Sequence, residues 1–129
     1  MDNVRLARTW LMLSGVILIA VGILGFFSNP LVGPTGLVAT DNPHNIVHAL
    51  TGVLALGLGY GMRDNIGTAT IAFGALYLVV LVVTVISPTL FGIFTVPVNT
   101  IDHIIHIGLA IVSLALGYMA RGRSAAMAG

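Results

Sequence analysis

The chain has 129 residues, of which 57% are hydrophobic and 7% are charged, and its mean hydropathy is +1.07. These values exclude an ordinary soluble globular domain and predict an integral membrane protein whose partner is the lipid bilayer. A formal net charge of +1 and the absence of cysteine exclude a basic nucleic-acid surface, disulfides and thiolate metal sites.

Four hydrophobic segments each approach the ~20 residues that cross a bilayer core as a helix. Runs such as "LVVLVVTVIS" would favour strands in water, but a helix satisfies its own backbone in lipid. The predicted fold is therefore all-α, an integral membrane four-helix bundle forming a single domain over 1–129. The predicted helices cover 9–27, 45–62, 66–87 and 101–120.

The first segment follows Arg5 and Arg8, as the apolar part of a signal peptide would. It is longer than such a region and has no A-x-A-like cleavage site, so we expect a retained helix. Trp10, next to Arg8, is predicted to anchor this helix at the membrane interface.

The second segment begins in "DNPHNIVHALTG", which places His44 and His48 one helical turn apart. Small residues continue the same helical face and predict close helix packing. At the far end of the helix, Tyr60 and Arg63 are predicted interfacial anchors. The small residues of this face are Gly52, Ala55 and Gly59.

The fourth segment has the same design, with Asp102 and His106 one turn apart and His103 beside them. Tyr118 and Arg121 are its predicted interfacial anchors. We expect helices 2 and 4 to form the inner pair of the bundle, and residues 122–129 to form a short tail. The small residues below His106 are Ala110, Ser113 and Gly117.

A shift of 58 residues aligns 44–63 with 102–121 and gives seven identities among twenty positions, His48 with His106 among them. This predicts a duplicated helical hairpin, with repeat 1 over about 5–63 and repeat 2 over about 64–121. Because each repeat contains two spans, the repeats should run parallel, related by an axis along the membrane normal.

The arginines predict the orientation. None lies in the long connections, 28–44 and 88–100, and cytoplasmic loops are enriched in positive charge. Both termini are therefore expected in the cytoplasm, with the protein in a bacterial inner membrane. The arginines on the expected cytoplasmic side are Arg5, Arg8, Arg63, Arg121 and Arg123.

The polar residues at the outer ends of helices 2 and 4 allow several interpretations. Asn45, Asp102 and the histidines could hydrogen-bond one another and the outer loops, since an unpaired polar group is costly there. Alternatively, His44, His48, Asp102 and His106 offer the nitrogen and oxygen ligands that zinc, iron or copper accepts. No H-E-x-x-H or Glu-x-x-His signature accompanies them.

Two further interpretations use the same cluster. His48 and His106 could be the axial ligands of a haem b, with Gly52 and Ala110 leaving room for the ring. Intramembrane ionisable residues also suggest proton or ion handling. Since no ionisable residue continues the path inward, a relay across the membrane is not expected.

Two elements, "HNIVHALTGVLAL" and "VPVNTIDHIIHIGLA", resemble those of the small bacterial four-helix membrane proteins of domain-of-unknown-function family 4383. The resemblance covers nearly the whole chain and implies four spans with no assigned activity. His103 departs from it, because the family more often has Asp-Asn there. The matching residues are Asn45, His48, Gly52, Pro97, Asn99, Asp102 and His106.

The expected function is that of a small multi-pass membrane protein without enzymatic activity, a structural or accessory component of a homo-oligomer or larger membrane complex. No nucleophile arrangement or phosphate-binding glycine loop is present. The alternative is a membrane protein that binds a metal ion or haem through the His and Asp residues above. A small transport protein, with an aqueous path between the hairpins, is the third hypothesis.

Overall fold

A computed structural model describes residues 2–128 of the chain, and the side chains of residues 2–121. The described residues form a bundle of four helices, which confirms the all-helical prediction. Predicted and observed helix ends differ by a few residues, apart from the start of the first helix and the end of the last. The helices are α1 (Asn3–Leu24), α2 (Asn42–Gly61), α3 (Ile66–Ile86) and α4 (Thr100–Ala128).

Polar caps beyond the apolar runs explain where the helices begin. The Asp2 carboxylate accepts a hydrogen bond of 2.8 Å from the Arg5 backbone N–H, so α1 starts several residues before its hydrophobic segment. Asp41 caps α2 in the same way through His44. At its other end, α4 includes residues predicted as a tail, because Arg, Ala and Met favour helix; Gly129 lies outside the described residues.

The helices form two hairpins, α1 with α2 and α3 with α4, joined by a 3-10 turn at Arg63–Asn65. The connections 25–41 and 87–99 lie together at one end of the bundle, which we call the loop end. A two-residue parallel ladder, β1 (Val32–Gly33) with β2 (Val38–Ala39), orders the first connection. The two connections are joined by a hydrogen bond of 3.0 Å, which the Asn99 side-chain amide donates to the Leu37 carbonyl.

The small residues bring helix backbones into contact within each hairpin. A Cβ atom on Gly52 would lie 2.7 Å from the Gly15 carbonyl oxygen, and one on Gly117 would lie 2.7 Å from the Ile71 amide nitrogen. The expectation that α2 and α4 form the inner pair is therefore wrong. The α2 stripe packs on α1 and the α4 stripe packs on α3, while α1 and α4 pack against each other between the hairpins.

The remaining stripe residues also serve packing. Ala55, Ala110 and Ser113 are completely buried, and Gly59 faces the Met12 side chain. Helices that are consecutive in the chain often pack antiparallel, here across the long connections 25–41 and 87–99, and a small-residue stripe then fits the nearest backbone.

Three helical stretches are long and apolar enough to cross a membrane: Asn3–Leu24, Arg63–Ile86 and Thr100–Arg121. Many large aliphatic side chains on the outside of the bundle are exposed, as lipid contact requires; Leu13 and Ile17 of α1 are more than half exposed. The 20-residue helix α2 is less apolar than these three stretches because its first two turns are polar. The chain is thus a helical protein of membrane type.

The predicted interfacial residues fall into two groups. Tyr60 and Tyr118 are exposed at the end opposite the loop end, and the Arg63 guanidinium lies 5.4 Å from the centre of the Tyr60 ring. Arg121 is also exposed there. Trp10, in contrast, directs its indole into the bundle, where Nε1 donates to the Ser113 hydroxyl at 2.8 Å.

The Asp41 carboxylate connects the start of α2 to the second long connection. One oxygen accepts the His44 N–H at 3.0 Å, and the other accepts the Thr95 N–H, the Thr95 hydroxyl at 2.9 Å and the Val96 N–H at 3.2 Å. Burial alone would raise the pKa of this carboxyl, but the four donors outweigh it and hold the pKa below its ordinary value.

The Gly15–Gly52 contact predicts a large difference between two glycine substitutions in α2. Gly52→Ala forces a methyl group against the α1 backbone and should destabilise the bundle by about 1–3 kcal/mol. Gly57→Ala is the matched control, because its Cβ would have no neighbour within 4 Å. Thermal unfolding in detergent, followed by circular dichroism, measures both; equal melting temperatures would contradict the close contact.

The Asp41 hydrogen bonds predict a pH-dependent contribution to stability. Asp41→Asn removes one acceptor oxygen and should cost about 1–3 kcal/mol at pH 7. Since the folded-state pKa is depressed, the contribution is complete above the ordinary value of 3.8 and is lost as the pH falls through the lower folded-state pKa. Melting temperatures of wild type and variant should therefore converge at acidic pH. The control is substitution of the exposed Asp64 by Asn, which removes a carboxylate that takes no part in these hydrogen bonds.

Candidate metal site

Three buried histidines meet at the loop end of the bundle. His44 lies in the first turn of α2, His48 follows one turn later, and His106 reaches them from the second turn of α4. Each side chain offers a ring nitrogen, and the three nitrogens lie within 4.8 Å of one another. The three residues are 1%, 2% and 2% exposed, so the cluster is closed to bulk water.

Aromatic rings hold the cluster on two sides. The ring of Phe94, from the connection before α4, stacks on His44 with centroids 4.7 Å apart and planes inclined by 12°. Tyr77 of α3 lies beside His106 at a centroid distance of 5.9 Å, and its hydroxyl is 2.6 Å from that of Thr51. These contacts restrict the rotation of two of the three imidazoles.

Four of the six ring nitrogens of the cluster lack hydrogen-bond partners among the described residues. Both nitrogens of His48, and Nδ1 of His44 and of His106, have no hydrogen-bond partner among the described residues. A buried polar group without a partner costs about 1–3 kcal/mol on protein scales. Several such atoms in one place favour a ligand that binds nitrogen.

The geometry is near that of a metal site. The centroids of His44 and His48 are 4.3 Å apart, and those of His44 and His106 are 6.3 Å apart. Nitrogens bound to one tetrahedral zinc at about 2.0–2.1 Å lie roughly 3.3 Å from one another. The three nitrogens, which lie within 4.8 Å of one another, would have to approach by at most about 1.5 Å to bind one ion.

Asp102, which the sequence grouped with these histidines, lies outside the three-nitrogen group found among the described residues. One carboxylate oxygen accepts the Asn99 N–H at 2.9 Å, and the Asp102 N–H donates back to the Asn99 side chain at 2.9 Å. This reciprocal pair caps α4. The other Asp102 oxygen is buried without a partner among the described residues.

Asn45 and His103 lie next to the cluster. The Asn45 side chain is buried against Gly25, and neither its oxygen nor its nitrogen has a partner among the described residues. His103 is half-buried, with its ring 6.5 Å from that of His106. Within the part of the chain that the structure describes, no hydrogen bond joins Asn45, His48, Asp102 and His106 to one another.

Sequence reasoning missed two residues that position the site. Asp41 fixes the first turn of α2, and the signal for it was present, since Asp before Asn-Pro is a typical N-cap. Phe94 orients His44 by stacking. It lies in an irregular connection with no periodic pattern, so its position could not be predicted.

A family model matches most of the chain. The family model described as Domain of unknown function (DUF4383) matches residues 8–119, which include all three clustered histidines. No curated protein and no solved structure matches the chain. The family resemblance predicted from the histidine elements is confirmed, and the chain belongs to the DUF4383 family.

Proposed function

We propose that this membrane protein binds one divalent transition-metal ion through His44, His48 and His106. The observation that carries the proposal is the meeting of three buried imidazoles. Each has a ring nitrogen within 4.8 Å of the other two, and four of the six ring nitrogens lack hydrogen-bond partners among the described residues. In a purely structural cluster, each unpartnered nitrogen would remain a cost of about 1–3 kcal/mol.

The donor set favours zinc. Neutral imidazoles bind late first-row ions well, and the chain has no cysteine that would add a soft thiolate ligand. Three histidines around zinc leave a fourth position for water or another small ligand. Copper and nickel accept the same nitrogens, so the ion bound in the cell depends on availability as well as affinity.

The cluster suits a bare ion better than haem b. If His48 and His106 were the two axial ligands of a haem, the flat macrocycle would need free space on all sides between the two imidazoles. His44 stands beside His48 at a centroid distance of 4.3 Å and is itself stacked on Phe94. That third imidazole completes an ion site and obstructs a macrocycle.

The proposed topology has four spans, with α2 crossing the membrane although its first turns are polar. Both hairpins would enter from the cytoplasm as tandem repeats, with both termini inside a bacterial inner membrane. The side chains of Arg8, Arg63 and Arg121 support this, since Arg8 donates to the Gly59 carbonyl at 3.0 Å and all three lie at the end opposite the loop end. The metal site would then lie near the outer surface.

The proposed site assigns no catalytic group, so the proposed function is still non-enzymatic. We still expect the protein to be part of a homo-oligomer or a larger membrane complex. The exposed aliphatic faces of the helices could meet either lipid or such a partner. A structural or accessory role and metal binding are compatible, because a bound ion would join α2 to α4 where their backbones are not in close contact.

The proposal predicts one zinc per chain, lost when a ligand is removed. Purified protein loaded with Zn²⁺ and desalted should contain about one equivalent by elemental analysis, and His48→Ala and His106→Ala should each lower the affinity at least tenfold. Co²⁺ in place of zinc should give the visible absorption of a tetrahedral nitrogen site in the wild type only.

His103→Ala is the matched control, because His103 lies on α4 close to His106 but outside the three-histidine group. It should retain full stoichiometry. Equal zinc content in wild type, His48→Ala and His106→Ala would overturn the proposal, as would protein that takes up no ion. A Soret band in the purified protein would establish the haem alternative.

A further inference from the structure

A narrow cavity of about 340 Å³ lies between α1 and α4. On the α1 side it is lined from Trp10 to Val21, and on the α4 side by Ile105, Gly108 and Leu109. The surface that these residues expose to the cavity is apolar. Both helices contain stretches long and apolar enough to cross a membrane, so the cavity lies at membrane depth.

The dimensions of the cavity restrict what it can hold. Trp10 and Val21 are eleven residues apart on one helix, which corresponds to about 16 Å along its axis. The volume spread over that length gives a mean cross-section of roughly 20 Å². An extended hydrocarbon chain fits a space of about this cross-section, whereas a helix of a partner protein, about 10 Å across, does not.

The cavity is open on the membrane side and closed on the bundle side. Leu13 and Ile17, which line it, are more than half exposed on the outer face of α1. On the inner side the wall is formed by His48, a member of the histidine cluster that is 2% exposed. A chain that entered from the bilayer would therefore pack against the imidazole of a proposed metal ligand.

Gly108 leaves the cavity open. A Cβ atom at this position would have no neighbour within 4 Å, although α4 packs closely on α3 through Gly117 and Ser113. The absence of a side chain at Gly108 therefore serves no backbone contact in the described structure. It preserves the space between the two helices.

We propose that this cavity binds one acyl chain of a membrane lipid, held parallel to α1 and α4 with its side against His48. The proposal concerns a different ligand from the metal ion and does not depend on it. Apolar walls, single-chain width and access from the lipid-facing side all match an acyl chain. Burial of the chain between two helices distinguishes this site from the annular lipid around the bundle.

The single tryptophan of the chain provides the assay, because Trp10 lines the cavity. Wild-type protein in detergent, kept metal-free with EDTA, is titrated with phosphatidylcholine carrying dibrominated acyl chains, which quench tryptophan on contact. We expect saturable quenching near one lipid per protein. Unlabelled phosphatidylcholine should reverse it by competition.

Gly108→Leu fills the cavity and should weaken this quenching at least fivefold, and Gly108→Val serves if the larger variant does not fold. Gly57→Leu is the matched control, since Gly57 is exposed on α2 and its Cβ would also meet nothing. Quenching that rises linearly without saturation, or that is unchanged in the folded Gly108 variant, would overturn the proposal. Because EDTA is present throughout, neither result depends on whether zinc binds.

Discussion

The close approach of α1 and α2 determines where the polar residues of α2 can go. A Cβ atom on Gly52 would lie 2.7 Å from the Gly15 carbonyl oxygen. A Cβ atom on Gly22 would lie 2.6 Å from the Asn45 carbonyl oxygen. Contact at these glycines sets the rotation of α2 about its axis. Since residues four apart share a helical face, His48 is directed into the bundle with Gly52, and the outer face of α2 keeps its aliphatic side chains for lipid.

Hydrogen bonds at the loop end then bring the three histidines together. Asp41 caps α2 and also accepts hydrogen bonds from Thr95 and Val96, which brings the preceding residue, Phe94, onto the ring of His44. His106 arrives from α4, whose start is set by the Asn99–Asp102 pair. Two capping interactions, neither of which touches the ring nitrogens, thus assemble three imidazoles from helices whose backbones are not in close contact.

The sequence predicted the helices and the inward histidines well, because apolar length and helical spacing are local properties. The prediction of the inner helix pair was wrong because it depended on which helix packs against which. A stripe such as Gly52, Ala55 and Gly59 specifies a close contact but carries no information about the partner backbone. For the same reason the spacing that pairs Asp102 with His106 could not reveal that Asn99 engages the Asp102 carboxylate.

Charge balance is the remaining physical requirement for an ion at this depth. Three neutral imidazoles would leave a divalent ion uncompensated in a setting of low dielectric constant, where an isolated charge is costly. The loop end contains two buried carboxylates, Asp41 and Asp102, which formally carry two negative charges. Asp41 bonds to the His44 backbone, and Asp102 precedes His106 by one turn, with one oxygen still unpartnered among the described residues. In the proposed site, the ion and these two carboxylates would have no net charge, which would lower the cost of placing the ion at this depth.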